Sequence, residues 1–160
     1  IYQEAIGDYW RIKKLSIWKT FKTDNPITIP LQWDFLIIKL MTPEKLNSIV
    51  YKWFDCFNNK ELEKLLSLYD DEAIHFSPKL KVRQPETQGL ISGKEALRTW
   101  WQDAFERLPS LQYKVTSLTA NGHRVFMEYI RMVTDESDLL VAEVLEVKNE
   151  KIIASRVYHG

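Results

Sequence analysis

Apolar positions recur at helical spacing in three places after Met41 and at strand-like alternation through the last third of the chain. Leu46, Ile49, Val50, Trp53, Phe54 and Phe57 make one wide apolar face and predict a helix over residues 43–57, with Thr42 as its cap and Pro43 at its first position. Leu62, Leu65, Leu66 and Tyr69 predict a short second helix, with Asn58 and Glu61 as a capping pair before it and Asp70-Asp71 ending it. Residues 73–77 read as a strand stopped by Pro78. Residues 79–91 show no period, carry Pro85 and Gly89, and are long enough to form a lid. Ser92 with Glu95 makes a second capping pair, and Leu97, Trp100, Trp101, Ala104, Phe105 and Leu108 mark a third helix that stops before Pro109.

Residues 111–120, 124–134, 139–148 and 151–159 are rich in β-branched and aromatic side chains and are separated by Asn121-Gly122, by Asp135 to Asp138, and by Asn149-Glu150. Four consecutive antiparallel strands follow from this. Helices first and sheet afterwards predict an α+β domain, three helices packed on one face of a curved, mainly antiparallel sheet.

Residues 1–40 differ from the rest: they hold Trp10, Trp18 and Trp33 and several lysines, without a sustained helical stripe. Met41 followed by a capped helix start reads as a natural beginning, which makes residues 1–40 an atypical N-terminal extension, upstream sequence or a fragment of something else. The alternative is an aromatic, basic arm that packs on the domain at 41–160 or on a partner. A signal peptide is not expected, since the apolar core and small-residue cleavage site are missing.

Composition narrows the function. Lysine plus arginine equals aspartate plus glutamate, 22 each, so no net charge favours nucleic acid or an acidic membrane. Cys56 is alone and neither CxxC nor HExxH occurs, so no disulfide, metal or other cofactor is expected, and a reducing cytoplasm fits. The longest apolar run, Phe35 to Ile38, is far short of the roughly 20 residues that cross a bilayer.

The motifs YDDEAIHFSP after a leucine helix, SGKEALRTWW at the third helix, and four closing strands ending RVYHG resemble the NTF2-like superfamily, in its SnoaL-like branch, over residues 41–160. The resemblance implies a cone-shaped fold, a deep pocket between sheet and helices, and a homodimer packed through the outer sheet face. It leaves function open, since such folds host isomerases, cyclases, dehydratases, hydrolases and non-catalytic modules. In the ketosteroid isomerase pattern, Ser77 stands where a general-base aspartate belongs, Trp53 where a tyrosine does, and Glu143 where a buried acid does; with two of three changed, steroid isomerisation is not expected. The acid/base aspartate of SnoaL-type cyclases falls at or near His159, which can still move a proton at neutral pH. The Asp-Arg-Asp set of limonene-epoxide hydrolase has no full counterpart.

Alternation puts Glu143 in an apolar row with Val141, Leu145 and Val147, where its charged form is disfavoured; the competing reading is an ion pair with Arg131 or Arg156. His75 shares a face with Ser77, and His159 with Ser155 and Val157. If both faces look inward, His75, Glu143 and His159 converge as an acid/base set. Glu128 shares a face with Phe126, Ile130 and Met132, and the register implied by the resemblance turns Glu128, Ile130 and Met132 to the pocket, the alternative being a surface or interface glutamate. Trp53 and Trp101 are the expected pocket walls, Cys56 a small core residue, and His123 a solvated turn residue. The expected function is a pocket for a small, largely apolar molecule, with proton-transfer catalysis of isomerase or cyclase type. A non-catalytic binding or dimerisation module is the second class, and a dehydratase-like lyase using the histidine pair the third.

Overall fold

The computed structural model describes residues 41–159; what was expected of residues 1–40 lies outside them. Helix α1 (Pro43–Asn58) is capped by Thr42, whose side chain accepts from the Lys45 amide, and it buries Leu46, Ile49, Val50, Trp53, Phe54, Cys56 and Phe57. Burying each large side chain of this kind contributes about 1.5–3 kcal/mol. Helix α2 (Leu62–Ser67) buries Leu65 and Leu66 and hands over to strand β1 (Tyr69–Phe76). After β1 come helix α3 (Pro78–Arg83), a 3-10 turn at Pro85–Thr87, strand β2 (Leu90–Ser92) and helix α4 (Lys94–Arg107). Four strands close the described chain: β3 (Gln112–Asn121), β4 (Arg124–Met132), β5 (Leu139–Lys148) and β6 (Lys151–Tyr158).

The six strands form one sheet in the order β2-β1-β6-β5-β4-β3, antiparallel except where β1 runs parallel to β6. Helix α1 lies against β3 and β4, and α4 against β1 and β2, so the apolar helix faces and the inner sheet face share one core. The α+β architecture expected from the order of periods is therefore the one observed, with the sheet curved and unclosed. Among the described residues, no helix is long and apolar enough to cross a membrane.

Several local expectations are corrected. Residues 79–91 are not a patternless lid: Pro78 opens α3, Leu80 is buried, and Leu90, Ile91 and Ser92 pair with Phe76, His75 and Ile74. Asp70 and Asp71 do not end a helix but sit in β1, whose register against β6 shifts between Tyr69 and Ile74. Neither expected capping pair forms. Asn58 spends its side chain on the backbone of Tyr113, and α4 is capped by Gly93 at φ 86, a left-handed conformation that a side chain would disfavour. On β4 the inward residues are Val125, Met127, Tyr129 and Arg131, because Met127 pairs with Glu143 and Tyr129 with Val141.

Candidate functional site

A cavity of about 400 Å³ opens between the inner sheet face, α1, α3 and α4. Its buried floor is built by Trp53 and Phe57 of α1, Trp101 of α4, Tyr129 of β4, and Val141 and Glu143 of β5. Its rim is more exposed and consists of Lys79, Val82 and Arg83 on α3, Arg107 on α4 and Glu136 in the β4–β5 loop. Helical spacing puts Trp53 and Phe57 one turn apart on the same face of α1, and strand alternation does the same for Val141 and Glu143. The aromatic floor is closely packed: Trp53 stacks on Tyr113 at 5.8 Å between centroids, and Tyr69 lies 4.7 Å from Trp101.

Glu143 is 1% exposed, and burial raises its carboxyl to about 8, partly opposed by a hydrogen bond from Tyr129. Tyr129 donates to Oε2 at 2.9 Å, while Oε1 has no partner among the described residues. At neutral pH the group is therefore largely protonated. Oε2 serves as the carbonyl that accepts from Tyr129, and Oε1 is left carrying a proton with no acceptor. Burial and the nearby Glu143 also raise Tyr69, Tyr113 and Tyr129 above the ordinary phenol range, so all three remain neutral hydroxyls.

Two further polar contacts tie Trp53 and His75 of the cavity wall to the fully buried Tyr69 and Ser155. Trp53 Nε1–H donates to the Tyr69 hydroxyl at 2.8 Å. An indole can only donate, so the Tyr69 hydroxyl accepts here and its own proton is free for another acceptor. The Ser155 hydroxyl sits 2.7 Å from Nδ1 of His75. A serine hydroxyl both donates and accepts, so Nδ1 either accepts from Ser155, with the ring proton on Nε2, or donates to it. Burial lowers His75 to about 4, so the ring is neutral and acts as a hydrogen-bond donor.

His159 also lines the cavity, and its Nε2 has no partner among the described residues. Burial first, then Lys79 and Arg131, lower its pKa and favour the neutral imidazole. Arg131 is buried on the inner face and bonds to Glu136 at 2.7 Å. Among the described residues, no group of three or more His, Cys, Asp or Glu side chains is placed to hold a metal ion.

The structure thus brings His75, Ser77, Glu143, His159, Trp53 and Trp101 to one cavity. His75, Glu143 and His159 do not hydrogen-bond one another: the first goes to Ser155, the second to Tyr129, and the third is unpartnered. The expected ion pair of Glu143 with Arg131 or Arg156 does not form, as those arginines bond to Glu136 and Glu146. Glu128, Ile130 and Met132 do not line the cavity. They alternate with Met127, Tyr129 and Arg131 and so occupy the outer face of β4. Alternation within β4 alone does not single out Tyr129 and Arg131, and the leucine stripe that ends at Tyr69 hides its place in β1. Cys56 is buried in the core and His123 is exposed, as expected.

The profile of the SnoaL-like domain family matches residues 50–155. Similar solved structures include a SnoaL-like protein from Burkholderia thailandensis, 21% identical, covering 76% of this chain and 98% of that one at a TM-score of 0.69. An NTF2-like protein from Anabaena variabilis is 20% identical, covering 73% and 87% at 0.61. An LEH-like epoxide hydrolase from M. tuberculosis is 16% identical, covering 73% and 84% at 0.60. At these identities the likeness establishes a shared fold. No curated protein matches in sequence.

Proposed function

Because the chain belongs to the SnoaL-like domain family, we propose that its cavity takes a small, largely apolar organic molecule and moves a proton on it, as isomerases and cyclases do. The observation that carries this reading is the buried Glu143 carboxyl, one oxygen held by Tyr129 and the other unpartnered, at an aromatic floor. A carboxylic acid kept neutral in an apolar site donates a strong hydrogen bond to a ligand oxygen and stabilises negative charge developing there. His75 is a second donor in the tautomer that carries its proton on Nε2, and neutral His159 is the base that accepts the proton.

The test is a thermal-shift screen against cyclic ketones, polyketide-like aromatics and terpenoids, with Glu143→Gln and His159→Ala beside the parent. A compound at about 100 times its dissociation constant adds about 2.7 kcal/mol to folding stability. Hits are then followed by NMR for exchange of the proton next to the carbonyl with solvent deuterium. Exchange that His159→Ala abolishes while binding persists supports catalysis. Stable variants and no hit in the parent sink the pocket reading.

A non-catalytic dimerisation module is the second reading, favoured by the outer sheet face. Phe126, Leu140 and Tyr158 are exposed there, with Ile130, Met132 and Val144 partly so, an apolar surface suited to a second copy of the chain.

A further inference from the structure

The chain as a whole is neutral, yet the cavity concentrates positive charge on one part of its wall. Lys79 and Arg83 come from α3, Arg107 from α4 and Arg131 from β4, and all four line the cavity. Two carboxylates answer them. Asp103 is shared by Arg83 at 3.7 Å and Arg107 at 2.7 Å, and Glu136 is bonded to Arg131. Lys79 makes no hydrogen bond or ion pair among the described residues. It is half-buried, and after burial its ammonium is held down by Arg131 and, less, by Arg107, with the Glu136 carboxylate acting the other way between them in size. A half-buried ammonium with two guanidinium groups and one already paired carboxylate near it gains more from an incoming anion than a solvated lysine does.

We propose, on the reading that this cavity is a ligand site, that its ligand is a lipophilic organic carboxylate. Its apolar body lies on Trp53 and Trp101, and its carboxylate is held at the mouth by Lys79 beside Arg131. The polarity of the cavity orders the molecule. Charge faces the rim, where Arg83, Arg107 and Lys79 are solvent-accessible, and a neutral oxygen, where the ligand has one, reaches the protonated Glu143 at the floor. The cationic rim also draws anions toward the opening before contact is made.

Tryptophans line the cavity, so binding can be read by their fluorescence in the full chain. Three matched pairs serve as probes: benzoate and benzamide, 2-naphthoate and 2-naphthamide, cyclohexanecarboxylate and its amide. Each is titrated at neutral pH into the parent, Lys79→Gln and Lys79→Arg. The expected result is that in at least one pair the carboxylate binds tighter by about tenfold, the scale of one charge-assisted hydrogen bond. That preference disappears in Lys79→Gln and survives in Lys79→Arg. Raising the salt tenfold shrinks it in the parent, an arm that does not depend on any variant folding. Amides binding as well as carboxylates to the parent overturn the proposal and leave the pocket reading standing. A preference undiminished in folded Lys79→Gln overturns the assignment to Lys79. If no member of any pair binds, the pocket reading and this proposal fall together.

Discussion

Tyr129 on β4 donates its hydroxyl proton to Oε2 of Glu143 on β5 at 2.9 Å, and Oε1 of the same carboxyl has no partner among the described residues. The two residues are not directly paired across the strands, since Met127 is opposite Glu143 and Val141 opposite Tyr129. The bond is therefore a diagonal one, reached because a tyrosine side chain is long enough to lean along the sheet. Phenylalanine at position 129 should cost about 1 kcal/mol and move the Glu143 midpoint upward, because the hydrogen bond being lost favours the carboxylate. Carbon-13 NMR of the glutamate carboxyls checks it, and an unmoved or falling midpoint contradicts the geometry.

Folding stability should depend on pH through Glu143 and His75 with opposite signs. Glu143 goes from an ordinary 4.5 to about 8 on folding, so the unfolded chain releases this proton first and stability falls as pH rises from 4.5 to 8. His75 goes from 6.5 to about 4, so stability is lost as pH falls from 6.5 to 4. Each slope is at most about 1.4 kcal/mol per pH unit. Between 4.5 and 6.5 the two cancel, leaving a plateau from this pair with a decline on either side. Denaturant unfolding of Glu143→Gln should lack the decline above 6.5 that the parent shows, and equal profiles for the two proteins would refute the placement of Glu143.

The His75 tautomer is a separate matter. With Ser155 donating to Nδ1, the ring proton sits on Nε2. Nitrogen-15 correlation spectra at neutral pH should show a protonated Nε2 and an unprotonated Nδ1. In Ser155→Ala the loss of the 2.7 Å partner should cost about 1–3 kcal/mol and shift the tautomer balance. A parent ring protonated at Nδ1 means that His75 donates to Ser155 instead.

The outer face makes its own prediction. Leu140 is 63% exposed on β5, so glutamate there should change the stability of the single chain by no more than about 0.5 kcal/mol. If a dimer forms through this face, light scattering should find the parent dimeric and Leu140→Glu monomeric. A monomeric parent removes the dimer proposal.

Much of the architecture was legible because it rests on period. The stripe from Leu46 to Phe57 and the alternation from Leu139 to Val147 each state which side is buried, and α1 and β5 follow them. Glu143 was visible by the same rule, a carboxylate in an apolar row. What period cannot give is register between strands. Both Phe126-Glu128-Ile130-Met132 and Val125-Met127-Tyr129-Arg131 are apolar enough to face inward, and a slip of one residue across the β4–β5 loop exchanges them. Only the pairing of Met127 with Glu143 decides, and that hides Tyr129 and Arg131 from a reading of β4 alone. The segment after Pro78 was opaque for another reason. Its helix has six residues, too short to show a stripe, and its strand is defined by a partner, β1, rather than by its own pattern.

The parallel pairing of β1 with β6 sets the order in which this protein can be made. His75 and Ser155 meet across 80 positions, and every β1–β6 pair waits for a strand translated near the end of the described chain. While a ribosome is still extending it, the nascent chain can form α1 and the β3–β4 hairpin, but β1 has only the three-residue β2 beside it. Closure over so long a separation is slow relative to local pairing. The floor of the cavity is therefore assembled in two halves: Trp53 and Phe57 can be covered by Tyr113 and Tyr129 as soon as that hairpin forms, whereas Trp101, packed on Tyr69 of β1, belongs to the half that β6 completes last.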